Sequence, residues 1–294
     1  MKDNIQTILV TGANGQLSSE LKNIAANYPS YHFLFTTKEE LPIHDPLAIK
    51  DFFIRHPIHY CINTAGYTAV DNAEAEKEKA FLINATAAGE LAAVCKQHHC
   101  GFIHISTDYI FDGTANKPYK ETDPTHPIGA YGTSKLKGEE LVLQNDPSAV
   151  IIRTSWLYSS FGNNFVKTVL RLMKEKESIN VVNDQYGCPT YAADLAEAIM
   201  QIVVQLPVVD TPLPMIFNYA NSEATNWFEF ANAIKELTGS KCNINAIPTS
   251  QNPTSSKRPQ YSVLDTTKIQ ETFHINIPNW KDSLKKCLNK LNRQ

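Results

Sequence analysis

The chain has 294 residues, which is long enough for one or two domains and for a core that needs no disulfide or metal to hold it together. Hydrophobic residues make up 43% and charged residues 19%, which excludes a disordered or fibrous protein. The 27 Lys and Arg residues against 30 Asp and Glu residues give a net charge of −3, so we expect no nucleic-acid partner.

The first two-thirds of the chain alternate short apolar runs, typical of strands, with longer amphipathic stretches, typical of helices. In chain order the predicted elements are strand 8–10, helix 16–27, strand 32–35, helix 46–55, strand 60–63, helix 75–98, strand 102–105, helix 134–144, strand 150–152 and helix 165–174. This alternation predicts the α/β class, with a doubly wound, Rossmann-like parallel sheet covered by helices on both faces.

After about residue 155 the pattern becomes less regular. The predicted elements there are strands 179–182, 215–217 and 243–247 and helices 194–205, 227–237 and 280–291. They predict a smaller C-terminal α/β lobe over the carboxyl edge of the sheet, where doubly wound sheets bind ligands. We therefore expect a dinucleotide-binding domain over 1–155 and a mainly substrate-binding lobe over 156–294, with the chain crossing between the lobes more than once.

The turn after the first strand predicts a dinucleotide site. It reads Thr-Gly-Ala-Asn-Gly-Gln-Leu-Ser over 11–18. Gly12 can make the tight turn, and Gly15 lets the backbone approach a pyrophosphate at the N-terminus of the next helix. The third glycine of the usual pattern is Ser18, a small residue that we expect to keep the helix and strand packed, though less closely.

The second strand ends in Thr-Thr-Lys at 36–38. A site selective for NAD usually carries Asp or Glu at this tip, and here Glu39 and Glu40 follow the lysine. Lys38 and the two threonines could instead receive a 2′-phosphate, although Lys38 could equally be a solvated loop charge. This favours NADPH as the cofactor and leaves NADH as the alternative.

A catalytic group is predicted where the fourth strand ends, in Ser-Thr-Asp-Tyr at 106–109. Tyr131 and Lys135 are four residues apart, so they share one face of a helix. A phenol has a pKa of ~10, and a nearby ammonium is expected to lower it. Tyr131 could then protonate a developing alkoxide, Thr107 could hydrogen-bond the substrate carbonyl, and Lys135 could hold the nicotinamide ribose.

These motifs resemble the extended short-chain dehydrogenase/reductase family. Further blocks resemble the members of that family that reduce nucleotide sugars, and they lie at 63–71, 106–113, 153–158, 162–165, 183–190 and 258–259. The resemblance runs from about residue 7 to residue 290. It implies that hydride from NADPH or NADH reduces the C4 ketone of a dTDP-4-keto-6-deoxy sugar, dTDP-6-deoxy-L-lyxo-4-hexulose, to dTDP-β-L-rhamnose.

The resemblance also implies roles for individual residues. The catalytic residues are Thr107, Tyr131 and Lys135. The cofactor-binding residues are Gly12, Asn14, Gly15, Gln16, Leu17, Gly66, Tyr67, Thr68, Tyr131 and Lys135. The substrate-binding residues are Thr107, Asp108, Trp156 and Arg258. An aromatic face suits the C–H face of a deoxysugar, and a guanidinium can clamp a diphosphate.

Other functions of the same family stay open at this point. An epimerase would keep its NAD bound through a turnover, and a dehydratase would carry Thr-Asp-Glu at the strand end, where this chain has Thr-Asp-Tyr at 107–109. Some relatives are non-catalytic regulatory subunits, but the presence of both Tyr131 and Lys135 favours an enzyme. Pro42 stands where the family often has an Asp near the adenine, so the contacts to adenine are not fixed by the motif.

The remaining features concern the compartment, metals and assembly. Residues Met1 to Gln6 lack the apolar region and cleavage site of a secretory signal, and no stretch approaches the ~20 apolar residues of a membrane span. The six cysteines form no Cys-x-x-Cys pair. We therefore expect a cytoplasmic chain with reduced thiols and no membrane partner.

Some relatives form a magnesium-bridged dimer, but the Lys-rich C-terminus here predicts no metal. The sequence does not determine whether the chain forms a homodimer. His104 lies on a predicted buried strand and is interpreted as a core histidine.

Overall fold

The computed structural model describes residues 5–206 and 214–293 of the chain. Its strands are β1 Gln6–Thr11, β2 Tyr31–Thr36, β3 Tyr60–Asn63, β4 Gly101–Thr107, β5 Val150–Thr154, β6 Leu157–Tyr158, β7 Ser178–Val182, β8 Tyr186–Gly187, β9 Thr190–Tyr191, β10 Met215–Tyr219, β11 Thr225–Asn226 and β12 Asn243–Ile247. Its α-helices are α1 Gln16–Ile24, α2 Pro46–Arg55, α3 Lys77–Phe81, α4 Ala87–Gln97, α5 Ala130–Asn145, α6 Phe165–Glu175, α7 Ala192–Gln205, α8 Trp227–Thr238, α9 Thr267–Phe273 and α10 Trp280–Leu291.

The largest sheet has six parallel strands in the order β2-β1-β3-β4-β5-β10. Successive side chains of a strand point to opposite faces. Ile8 and Val10 therefore enter the core on the side of α1 and α7, whereas Leu9 enters the core on the side of α2 and α4. Burial on both faces explains why the strands are continuous apolar runs. The doubly wound α/β class is confirmed.

The smaller lobe is built around the parallel pair β7 and β12. Helices α6, α8 and α10 surround a second core that includes Val166, Ile179, Phe230, Trp280 and Leu284. Strand β10 lies after residue 155 but completes the large sheet, and α7 packs against α1. The chain thus contributes to the sheet layer from both sides of the predicted boundary. The division of the chain into two domains at residue 155 stays a prediction. Positions 1–4, 207–213 and 294 lie outside the described residues.

The prediction of one regular helix over 75–98 is wrong, because the run begins later and a π-helical turn interrupts it. Helix α3 begins at Lys77, a π-helical turn follows over Leu82–Thr86, and α4 completes the run. Helix α5 crosses this turn so closely that a Cβ on Gly138 would lie 2.0 Å from the Asn84 carbonyl oxygen. The widened turn thus lies where α5 packs most closely against this run, and π turns are often found at functional sites. Helix α1 is also shorter than predicted and ends in a 3₁₀ turn over Ala25–Asn27.

Two further findings concern the surface and the thiols. Within the described ranges, no helix combines the length and the apolar character that crossing a bilayer requires. All six cysteines are buried and unpaired. Burial in apolar surroundings makes such thiols unreactive.

Candidate active site

The turn between β1 and α1 has the shape of an anion cradle. Gly12 has φ +72°, and a Cβ there would lie 2.9 Å from the Ala65 Cα. Gly15 precedes α1 without a side-chain cap, which leaves the first N–H groups of the helix for an anion. Ser18 is integrated into the turn, because its hydroxyl donates to the Gly12 carbonyl at 2.8 Å and contacts the Thr64 hydroxyl at 2.6 Å. A serine in the third glycine position therefore ties the turn to the segment after β3.

The other residues expected at this turn differ in their exposure. Asn14 is exposed, whereas Leu17 is buried in the core and can offer only its backbone to a ligand. The Gln16 side chain accepts a hydrogen bond from Asn164 at 2.9 Å. Gln16 thus joins the turn to the start of α6 in the smaller lobe.

We expect Gly12→Ala to weaken NADPH binding at least about tenfold, because the left-handed conformation costs an L-residue ~1–2 kcal/mol and the new Cβ would push against Ala65. Nucleotide fluorescence titration measures the effect. Gly239→Ala is the matched control, because Gly239 has φ +67° but faces open space at the end of α8. Equal nucleotide affinity in the wild type and Gly12→Ala would contradict the assignment of the turn.

The segment after β3 carries Gly66, Tyr67 and Thr68, and a buried asparagine fixes it. The Tyr67 N–H donates to Asn84 Oδ1 at 2.8 Å, and Asn84 Nδ2 donates back to the Tyr67 carbonyl at 3.0 Å. Asn84 Nδ2 also donates to the Ser134 hydroxyl at 2.9 Å on α5. Gly66 and Thr68 are exposed. Asn84 thus joins this segment to α5, the helix that carries Tyr131. The role of Asn84 could not be predicted from the sequence, because nothing in the sequence indicated the π turn in which it lies.

Helix α5 places Tyr131 in its first turn. The N–H of Ala130, the first residue of α5, donates to Glu74 Oε1 at 2.7 Å. An acidic side chain therefore accepts a hydrogen bond at the positive N-terminal end of this helix. Thr107 ends β4 beside the phenol. Burial raises the pKa of Tyr131, and a hydrogen bond with Thr107 partly opposes that rise. The expected lowering of this pKa by a nearby ammonium is wrong for this arrangement, because burial and the neighbouring Asp108 and Tyr109 raise it.

Lys135 is buried, and its amine is engaged away from the phenol. Its Nζ donates to the Ile105 carbonyl at 2.5 Å and lies 3.3 Å from His104 Nε2. Burial lowers the pKa of Lys135 to about 8, and Glu139 opposes that shift. His104 is a core histidine as expected, but its contact with Lys135 makes it part of the site.

Asp108 is buried directly after β4. Burial raises its pKa to about 7, against the hydrogen bonds of Ser262 and Thr107. The Thr107 hydroxyl donates to Asp108 Oδ1 at 3.1 Å. A carboxyl group with this pKa is divided between its neutral and charged forms near neutral pH.

Asp108 should make the stability of the chain fall as the pH rises. Between the ordinary pKa of 3.8 and the folded value of about 7, the folded state binds more protons, so the free energy of unfolding decreases with pH. The full loss is on the order of 4 kcal/mol. Urea unfolding at several pH values should show this slope in the wild type and not in Asp108→Asn. The same slope in both proteins would contradict the assignment.

Trp156 follows β5 with φ +45° and stacks on Trp227. The ring centroids are 3.6 Å apart and the planes differ by 8°. A Cβ on Gly187 would lie 2.6 Å from the Trp156 ring. One face of Trp156 is thus covered by a residue of the smaller lobe that the sequence analysis did not single out.

Arg258 contacts both Asp71, after β3, and Tyr109, after β4. Its Nη2 lies 2.7 Å from Asp71 Oδ2, and its Nη1 lies 3.3 Å from the Tyr109 hydroxyl. The Tyr109 ring meets the Tyr131 ring edge-on, with centroids 5.8 Å apart. The backbone N–H of Ser256 also contacts Asp71, at 3.3 Å. Arg258 is therefore held beside the catalytic group and is not a free loop charge.

The structure brings Thr107, Asp108, Tyr131, Lys135 and Arg258 together at the carboxyl edge of the sheet. The phosphate turn lies at the same edge, at the end of β1. Sequence reasoning did not single out Asn84 or Glu74 among the residues that hold the group in place. Among residues 5–206 and 214–293, no group of three or more His, Cys, Asp and Glu side chains is arranged to hold a metal ion.

A parallel six-stranded sheet, a glycine turn after its first strand and a Tyr–Lys pair beside a strand-end threonine define a nucleotide-dependent oxidoreductase of the short-chain dehydrogenase/reductase type. The sequence model of the RmlD substrate binding domain family matches residues 6–293. The chain therefore belongs to this family, and its curated relatives include several dTDP-4-dehydrorhamnose reductases.

Relatives and solved structures match over almost the whole chain. The dTDP-4-dehydrorhamnose reductase of Aggregatibacter actinomycetemcomitans is 39% identical over 284 residues, covering 95% of this chain and 97% of the relative. The crystal structure of a Clostridium acetobutylicum dTDP-4-dehydrorhamnose reductase has a TM-score of 0.92 and 36% identity, covering 98% of this chain and 100% of the other. That of the Bacillus anthracis enzyme, in complex with NADP, has a TM-score of 0.91 and 33% identity, with coverage of 97% and 99%.

Proposed function

We propose that this chain reduces the C4 ketone of dTDP-6-deoxy-L-lyxo-4-hexulose to dTDP-β-L-rhamnose with NADPH, the last step of dTDP-L-rhamnose synthesis. The observation that carries this function is the assembly of Thr107, Tyr131 and Lys135 at one edge of the sheet, in a chain 39% identical to a dTDP-4-dehydrorhamnose reductase. The chain is accordingly an oxidoreductase.

The phosphate turn fits a dinucleotide. A Cβ on Gly12 would press on the Ala65 backbone, so glycine keeps the turn tight, and the uncapped start of α1 presents N–H groups to a pyrophosphate. Gly66, Tyr67 and Thr68 extend this surface along the end of β3. When bound, NADPH supplies the hydride. The relative from Bacillus anthracis, solved in complex with NADP, supports this cofactor. NADH is the alternative donor.

Tyr131 acts as the acid. A phenol is protonated at neutral pH, and burial raises the pKa of Tyr131 further, so it has a proton to donate to the oxygen that develops negative charge at C4. The Thr107 hydroxyl, beside the phenol, orients the same oxygen. Lys135 is charged below pH values of about 8. The family resemblance assigns it to the nicotinamide ribose.

The substrate contacts are assigned to Asp108, Trp156 and Arg258 together with Thr107. Asp108 lies next to the catalytic threonine and can exchange hydrogen bonds with sugar hydroxyls. The Arg258 guanidinium, now paired with Asp71, has the fork geometry that binds a diphosphate. Trp156 is assigned to the C–H face of the sugar by the family resemblance, and Trp227 covers one face of its ring.

The proposed function also concerns the compartment and the oligomeric state of the chain. Six buried, unpaired thiols suit a reducing compartment, so we place the reaction in the cytoplasm. A homodimer is the assembly that the family resemblance leaves open, and sedimentation of the purified chain decides it.

The test follows NADPH absorbance at 340 nm with freshly prepared dTDP-6-deoxy-L-lyxo-4-hexulose, and repeats the assay with NADH. We expect rapid loss of absorbance that requires the keto sugar. An epimerase would return its cofactor unchanged, so stoichiometric release of NADP⁺ excludes that alternative. A folded chain that binds NADPH but does not oxidise it would contradict the proposed function and support a regulatory role.

A further inference from the structure

A row of buried polar side chains crosses the sheet next to the candidate active site. Thr11 pairs with Asn63, and Asn63 with His104, in the registers of β1, β3 and β4. Paired residues of neighbouring strands project to the same face, so the three side chains form one line. Each of them is only 1% exposed. Lys135 reaches the end of this line from α5.

Short contacts join the whole row. The Thr11 hydroxyl lies 2.7 Å from Asn63 Oδ1, and Asn63 Nδ2 lies 3.1 Å from His104 Nδ1. His104 Nε2 lies 3.3 Å from Lys135 Nζ. Because Thr11 immediately precedes Gly12, the row connects the phosphate turn with the amine of the catalytic group.

The hydrogen-bonding capacity of each group fixes where the protons lie. An ammonium has three donors and no acceptor, so a charged Lys135 requires His104 Nε2 to accept. The imidazole proton is then on Nδ1, and Asn63 must turn its oxygen towards it. A neutral Lys135 can accept from Nε2–H instead. Asn63 then donates to His104 Nδ1 and accepts from the Thr11 hydroxyl, which is the direction found in the structure.

We propose that His104 is a positioning residue for the reduction: a neutral imidazole whose tautomer follows the charge of Lys135 and reverses the hydrogen bonds of Asn63 and Thr11. Between the two states the amine loses one proton to solvent, and the imidazole keeps one proton throughout. Nucleotide binding at the turn and protonation of Lys135 are thereby linked in both directions. The role in catalysis rests on the proposed function, whereas the proton arrangement does not.

The charged groups around the pair are consistent with this arrangement. Burial lowers the pKa of His104 well below its usual range, and Lys135 lowers it further, so the imidazole stays neutral. Glu139, one turn along α5, raises the pKa of Lys135 and is itself held by Arg153 from β5 at 2.7 Å. Asp108, after β4, acts on the phenol of the site.

The test is a ¹⁵N NMR titration of the whole chain from about pH 6 to about pH 10, a range that spans the ordinary imidazole pKa and the Lys135 pKa of about 8. His104→Gln identifies the His104 signals among those of the nine histidines. We expect the shifts of the two ring nitrogens to exchange around the Lys135 pKa of about 8, without conversion to imidazolium. Lys135→Met should abolish the exchange. An imidazolium, or one tautomer across the whole range, would overturn the proposal.

Turnover provides the second readout. His104→Gln keeps an acceptor for Lys135 and should keep kcat within about threefold, whereas His104→Leu should lower kcat about tenfold with little change in KM, the effect of losing one buried hydrogen bond. The pH midpoint of kcat should move in His104→Leu and return in His104→Gln. Unchanged pH profiles in both variants would show that His104 only fills space. If the NMR exchange occurs without any turnover in the wild type, the proposed function fails and the proton arrangement stands.

Discussion

Replacing Tyr131 with phenylalanine should lower kcat by about 10²–10⁴-fold, the usual contribution of a positioned general acid. The substitution removes one oxygen and leaves the ring, so the fold should not change, and any loss of affinity for NADPH should be small beside the loss of kcat. The rate with dTDP-6-deoxy-L-lyxo-4-hexulose at saturating NADPH measures the effect, and nucleotide titration measures the affinity.

Tyr109→Phe is the matched control for this experiment. Its ring lies 5.8 Å from that of Tyr131, but its hydroxyl contacts Arg258 at 3.3 Å. We expect its main effect on KM for the sugar nucleotide, because Arg258 is assigned to the diphosphate. If Tyr131→Phe kept its rate while Tyr109→Phe lost it, the acid would be Tyr109 and the assignment of Tyr131 would be wrong.

Arg153→Met should lower the free energy of unfolding by about 3–5 kcal/mol, because it leaves a buried carboxylate without its partner. Arg153 on β5 binds Glu139 on α5 through two nitrogens, with distances of 3.0 Å from Nε to Oε1 and 2.7 Å from Nη2 to Oε2. Both side chains are almost fully buried. The pair fastens the helix that carries Tyr131 and Lys135 to the sheet.

Urea unfolding with two controls tests this prediction. Arg171→Met removes an exposed pair with Glu175 at 2.9 Å and should change stability by less than ~1 kcal/mol. Replacing both Arg153 and Glu139 by apolar residues should recover part of the loss, because no buried charge then remains unpaired. Equal effects of Arg153→Met and Arg171→Met would contradict the role of burial.

The features that local sequence determines were the ones that could be predicted. Continuous apolar runs identified the sheet strands, because a strand buried on both faces tolerates little else. The glycine turn at Gly12 was predicted because a positive φ favours glycine. The spacing of Tyr131 and Lys135 was informative for a similar reason, since a helix places such a pair on one face.

The features that depend on distant parts of the chain could not be predicted. The π turn at Asn84 lies against Gly138, which is 54 residues further along the chain, and an Ala-rich run gives no sign of either the turn or the contact. The pKa of Tyr131 rises because the fold buries the phenol, which the helix spacing cannot show. His104 fitted a core position on β4, and only the fold shows that Lys135 ends beside it.

Transfer of deuterium tests the central claim most directly. The chain is incubated with dTDP-6-deoxy-L-lyxo-4-hexulose and NADPH that carries deuterium at the transferred position of the nicotinamide, and the sugar nucleotide is analysed by NMR. We expect dTDP-β-L-rhamnose with deuterium at C4 of the sugar. A product without deuterium at C4, or no reduced sugar despite bound NADPH, would contradict the account.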